Sequence, residues 1–171
     1  MTVAGEVITV HNVAQMLERF QYRFTSEREL QDGIQIVLER SCWAFEREYR
    51  LTARDRPDFI IYETGVRVAE HDWRRQMLCD WDIGAAPPIR GGAASQEPAR
   101  TIQGHRPGAG FIAMEIKIKG ATADVRRQLW RYAEHEAVRA ILLVTTRSLQ
   151  AAQIPEEMNG KPVRVLCLRT L

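Results

Sequence analysis

The chain has 171 residues, enough for one domain with a substantial core. Its 45% hydrophobic and 27% charged residues are the balance of a globular fold, not of a disordered or collagenous chain. A net charge of +2 is too small to signal a nucleic-acid partner on its own, although the basic residues are mostly Arg, which suits bidentate phosphate contacts.

Three scattered cysteines, Cys42, Cys79 and Cys167, with no C-x-x-C pair, argue against structural zinc and for reduced thiols in the cytoplasm. Neither a secretory signal nor an apolar run of membrane-spanning length is visible, so no membrane partner is expected.

Val13, Leu17 and Phe20 recur at helical spacing and predict a helix within 12–24, part of an N-terminal helical extension over 1–25. Asn12 with Gln15 resembles a capping box at its start. Ser26-Glu27-Arg28-Glu29 opens a second helix, whose Leu30, Ile34, Val37 and Leu38 form one apolar stripe. Residues 44–51 alternate Phe45, Tyr49 and Leu51 with Glu46, Glu48 and Arg50, a strand with one solvated face. After a turn at 54–57, residues 58–62 form a more uniformly apolar and therefore central strand.

Residues 111–119 form the third strand, and a helix from about 122 to 136 buries Val125, Leu129, Tyr132 and Ala133. A buried strand at 139–146, a short helix near 148–153, a turn at 159–162 and a last strand at 163–168 complete the chain. Helices interleaved with apolar strands predict a layered α/β domain with a mixed central sheet flanked by helices.

Between the second and third strands, residues 65–110 form an insertion rich in Pro and Gly. It holds Pro87-Pro88, Gly91-Gly92 and Pro107-Gly108-Ala109-Gly110, with a short amphipathic helix expected over 71–83. Its length of about 45 residues far exceeds an ordinary strand connection, which points to a functional role such as contact with a protein partner.

The chemistry-bearing pattern is Pro57-Asp58 on one core strand and Glu115-Ile116-Lys117 on the next. Period-two alternation puts Glu115 and Lys117 on one face of the strand and turns Ile116 into the core. A carboxylate inside an apolar strand is costly to bury. It is tolerated where a divalent cation and a phosphate share the site. The inward stripe of the second helix, extended back by one turn, reaches Glu27, whereas Glu29 fits the capping-box partner of Ser26 and is the rival choice for the helix carboxylate.

Placed on successive strands and flanked by these helices, the two motifs resemble the signature of the PD-(D/E)xK nuclease superfamily. The resemblance extends over about 26–171. The segment 26–30 looks like the opening helix of archaeal Holliday-junction resolvases, and Gln128-Leu129-Trp130-Arg131-Tyr132 is similar to the Q-x-x-x-Y element of the exonuclease-type branch. This resemblance implies a restriction-endonuclease-like αβββαβ core and a Mg²⁺-dependent nuclease or endonuclease, with Mn²⁺ as a substitute metal. Asp58, Glu115, Glu27 and the backbone carbonyl of Ile116 would be the metal ligands, with Lys117 beside the attacking water. It further implies that Gln128 and Tyr132 help to hold site and DNA, and junction resolvases of this superfamily are dimers.

Lys119, Arg126, Arg127 and Arg131 are candidate contacts to DNA phosphates, which position rather than specify. Glu70, on a rival third strand at 66–70, is the weaker ligand candidate because no lysine lies two residues on. The alternative function is a catalytically silent module of the same fold that binds DNA or a protein through the insertion.

Overall fold

The computed structural model describes residues 8–41, 43–66, 89–90 and 110–168. In chain order the elements are α1 (Val10–Glu18), β1 (Tyr22–Arg23), α2 (Glu27–Arg40), β2 (Trp43–Arg47), β3 (Phe59–Val66), β4 (Ile89–Arg90), β5 (Phe111–Lys117), α3 (Thr122–Glu134), β6 (Val138–Thr145), α4 (Ser148–Ala152), β7 (Glu157–Met158) and β8 (Lys161–Cys167).

Strands that are apolar on both faces need cover on both faces, and the three richest runs lie inside the sheet. Its order is β2-β3-β5-β6-β8-β7. β3 is antiparallel to β2 and to β5, whereas β5, β6 and β8 are mutually parallel. A parallel pair cannot be joined by a hairpin, and α3 supplies the crossover between β5 and β6.

Alternation divides the core in two. Phe59, Ile61, Ile112, Met114, Ile116, Leu142 and Val144 pack with the inner stripes of α1 and α2. Ile60, Tyr62, Ala113, Ile141 and Leu143 pack with Val125, Leu129, Tyr132 and Ala133 of α3. Leu30, Ile34, Leu38, Leu129 and Ile116 are fully buried. Each contributes about 1.5–3 kcal/mol relative to an exposed side chain.

Local chemistry moves several predicted boundaries. Thr9 caps α1: its hydroxyl accepts the Asn12 N–H at 3.2 Å, and Asn12 Oδ1 accepts the Thr9 N–H at 3.1 Å. Asn12 is thus the returning partner of the box rather than its first residue. α1 ends at Glu18, and the remainder of the expected helix contains β1, which pairs in parallel with β4 from the expected insertion.

β2 ends at Arg47 rather than running to 51, because Glu48 takes a left-handed φ of 53° and turns the chain. The Glu48 N–H then donates to the Asp58 carbonyl at 2.7 Å. β3 runs on to Val66, so the insertion opens later than residue 65. Asn159 and Gly160, at φ 49° and 71°, make the tight turn between β7 and β8. The expected helix over 71–83, Glu70 and Cys79 lie outside the described residues; among those described, β3 lies between β2 and β5.

Candidate active site

The β3–β5 ladder ends at Phe59 opposite Met114. One step further along the same register, Asp58 stands opposite Glu115 where the ladder stops. Glu115 lies on the α3 face of β5, while Ile116 faces the other core as alternation requires. α2 begins beside the same end of the sheet, and its first residue, Glu27, reaches the turn after β5: Glu27 Oε2 accepts the Ile118 N–H at 3.3 Å.

Lys117 joins these elements. Its Nζ lies 2.7 Å from Glu115 Oε1 and 3.3 Å from Glu27 Oε1. Asp58 Oδ2 accepts the Ile116 N–H at 2.7 Å, and its Oδ1 accepts Gln31 Nε2 at 2.7 Å. Glu115 is 1% exposed. Besides Lys117 it accepts Gln128 Nε2 at 2.8 Å and the Tyr132 hydroxyl at 2.8 Å. Gln128 and Tyr132 are one turn apart on α3 and 2.6 Å from each other. The expected partners Glu27, Asp58, Glu115, Lys117, Gln128 and Tyr132 therefore meet in one cluster.

Glu29 points away from it. Ser26 Oγ accepts the Glu29 N–H at 3.2 Å, and the Glu29 carboxylate takes the N–H and hydroxyl of Thr25 at 2.6 and 2.9 Å, one residue earlier than the expected return to Ser26. The Thr25 backbone bond foremost holds its carboxyl below the ordinary value.

The charges are unbalanced, with the carboxylates of Glu27, Asp58 and Glu115 facing the Lys117 ammonium. Burial first, then the neighbouring charge of Glu115, pushes the Asp58 carboxyl up to about 7. Burial also raises Glu115, against the opposing pull of Lys117, Tyr132 and Gln128. Burial alone would lower Lys117, but Glu115, Asp58 and Glu27 outweigh it and keep the amine protonated. Tyr132 is raised by burial and by Glu115, so its hydroxyl stays a donor.

Among the described residues, no group of three or more His, Cys, Asp or Glu side chains is drawn together as a metal cage. Lys117 bridges Glu27 and Glu115, and both Asp58 oxygens are turned to N–H donors. The donor set is nevertheless of the right kind for a hard cation, being all oxygen with negative charge in excess.

The expected DNA contacts divide. Lys119 is exposed in the turn beyond β5, which ends at Lys117 rather than 119. Arg126 is exposed on α3. Arg127 is paired with Asp124, and Arg131 Nε lies 2.7 Å from Asp55 Oδ1. Arg131 thereby ties α3 to the 51–55 turn that leads into Asp58. Asp55 is buried and also accepts the Thr52 hydroxyl at 2.9 Å. Burial alone would raise its pKa, but the Arg131 and Thr52 bonds and the charge of Arg131 hold it below the ordinary value.

Asp55→Ala should therefore cost about 1–3 kcal/mol at pH 7. A lowered carboxyl stabilises the fold above its unfolded pKa, and this stabilisation fades as pH falls through the folded value. Denaturant curves for Asp55→Ala and the parent chain should accordingly converge at acid pH; a gap that stays constant down to pH 2 would refute the assignment.

Two residues escaped sequence reasoning. Gln31 lies one turn after Glu27 on α2, a spacing that could have revealed it. Asp55 had no such signal, because its partner is 76 positions away. Comparison with protein-family models, with curated proteins and with solved structures finds no match. Among the described residues, no helix is long and apolar enough to cross a membrane.

Proposed function

We propose that this chain is a metal-dependent nuclease that hydrolyses DNA phosphodiester bonds. The observation that carries the proposal is the pairing of Glu27 and Glu115 with the ammonium of Lys117, with Asp58 beside them on the Ile116 N–H. The succession α2, β2, β3, β5, α3, β6 supports it further, because it follows the αβββαβ order of the PD-(D/E)xK superfamily with an insertion after the second strand.

Asp58, Glu115 and the Ile116 carbonyl would hold Mg²⁺ or Mn²⁺, with Glu27 beside them. Such a cation, when bound, neutralises a phosphate oxygen and lowers the pKa of a bound water. The chain's own residues do the rest. Tyr132 and Gln128 fix both oxygens of Glu115. Lys117, protonated, would donate hydrogen bonds to the attacking water and balance charge on the scissile phosphate. Lys119 and Arg126, exposed beside the site and on α3, meet the DNA backbone.

A digestion panel tests this proposal. Linear, circular, single-stranded and four-way-junction DNA should include at least one substrate cut with Mg²⁺ or Mn²⁺ and spared in EDTA. A folded chain that cuts none of them with either metal refutes the nuclease.

The Lys117 bridge favours one second reading. Ion pairs that engage Glu27 and Glu115 with Lys117 suit a silent module of the same fold, which binds DNA or a protein partner through the insertion. Retarded DNA without cleavage, across both metals, is its expected result.

A further inference from the structure

We infer that Gln31, held by Arg47, is a positioning residue that fixes the Asp58 carboxylate for cation binding. This inference rests on the metal-site reading above and extends it to the helix side of the site.

Asp58 lies just outside β3, where no ladder bond fixes its side chain. Two donors take over. The Ile116 N–H, rigid within β5, holds Oδ2 at 2.7 Å, and Gln31 Nε2 holds Oδ1 at 2.7 Å. An amide can present either its oxygen or its NH₂ to a neighbour, and only the NH₂ can serve a carboxylate. Arg47 makes that choice. Its Nη2 donates to Gln31 Oε1 at 3.2 Å, which leaves the NH₂ facing Asp58.

Arg47 is itself fixed from three sides. Its Nη1 lies 2.7 Å from Asp32 Oδ1 and 2.7 Å from Gln35 Oε1, and its guanidinium sits 5.8 Å from the centre of the Phe59 ring. Phe59 is its cross-strand partner and the residue directly after Asp58. The relay from Arg47 through Gln31 to Asp58 thus mirrors the grip of Gln128 and Tyr132 on Glu115. Each flanking helix contributes residues one turn apart: Glu27 and Gln31 from α2, Gln128 and Tyr132 from α3.

Groups that orient metal ligands typically change affinity or activity by about 10–100-fold when removed. Gln31→Met keeps the length of the side chain and removes the amide, and Arg47 retains Asp32 and Gln35. The test is Mn²⁺ titration calorimetry together with kcat and KM for DNA cleavage, on the whole chain, with folding checked by circular dichroism. Gln31→Met should weaken Mn²⁺ binding by about tenfold or more and lower kcat with little change in KM for DNA. Gln31→Asn, one methylene too short, should do the same and serves if the methionine variant does not fold.

Arg47→Met should cost several-fold in the parent chain and under about twofold in the Gln31→Met background, since residues acting through one another are non-additive. Mn²⁺ affinity of Gln31→Met or Gln31→Asn within twofold of the parent overturns the role of Gln31. Multiplying effects in the double variant overturn the relay. A parent chain that neither binds Mn²⁺ nor cuts DNA overturns this inference together with the metal-site reading.

Discussion

Lys117→Met is expected to reduce Mg²⁺-dependent DNA cleavage by about 10³-fold or more while the sheet and helices persist. Two separate losses add up to this figure. The first is electrostatic: the ammonium that offsets the developing charge at the phosphate is gone, and such contributions are worth about 10²–10³ in rate. The second concerns Glu115. It is almost wholly buried, and Lys117 at 2.7 Å supplies the leading pull that opposes its protonation. Without that pull the carboxyl holds its proton more tightly, and a protonated Glu115 is a poor cation ligand.

Protonation is also the reason the variant folds. A buried carboxylate stripped of its partner would cost about 3–5 kcal/mol if it stayed charged, and taking up a proton avoids most of that. Glu115→Gln is the companion variant: it keeps the shape of the side chain and its contact with Tyr132 while removing the charge. Single-turnover cleavage of the preferred substrate, with circular dichroism as the folding control, is the measurement. A folded Lys117→Met and a folded Glu115→Gln that both cut within tenfold of the parent rate would dispose of the proposed chemistry.

The inner strands and flanking helices were legible because their apolar residues repeat with the period of the element they form. Leu30, Ile34, Val37 and Leu38 made α2 plain, and the unbroken run through Ile141-Leu142-Leu143-Val144 made β6 plain. The site was legible for a related reason. Asp58 is a charged residue at the start of such a run and Glu115 one inside another, where propensity alone does not put them. Glu27 followed from the same stripe.

What remained hidden has no local period. β1 and β4 are two residues each and exist through pairing with each other across more than sixty positions. Glu48 ends β2 through a positive φ that alternation does not encode. The ion pair of Arg131 was hidden too, because only its charge can be read in a sequence and its partner Asp55 comes from a distant turn. Gln31 was hidden by chemistry rather than distance, since an amide on a helix has no obligatory partner until a carboxylate is set opposite it.

The imbalance of charge at the site leads to a second large effect, on stability. In the absence of divalent cations, Asp58→Asn should abolish the loss of stability that Asp58 imposes on the parent chain between pH 5 and pH 8. The sign follows from the raised carboxyl. Unfolded, Asp58 ionises near its ordinary value of 3.8; folded, it keeps its proton up to about 7. Its contribution to stability is therefore complete below the unfolded value and is lost as pH rises through the folded one. Each pH step between the two values removes about 1.4 kcal/mol.

Roughly two-thirds of that interval falls between pH 5 and pH 8, so the parent chain should lose about 2–3 kcal/mol there on account of Asp58. Asparagine has no proton to lose. Any constant cost of the substitution, such as a mismatch with the Ile116 N–H or the Gln31 amide, cancels when one protein is compared with itself at two pH values. Lys117 does not disturb the comparison, because its raised pKa keeps it charged throughout.

Mn²⁺ should then act in the opposite direction. At pH 8 and about a hundred times its dissociation constant, it should return about 2.7 kcal/mol to the parent chain. It should return far less to Asp58→Asn, which has lost a ligand. Urea denaturation at the two pH values, with and without Mn²⁺, decides the matter. Parallel pH dependence in the two proteins, or equal stabilisation of both by Mn²⁺, would mean that Asp58 is neither the strained carboxyl nor a cation ligand.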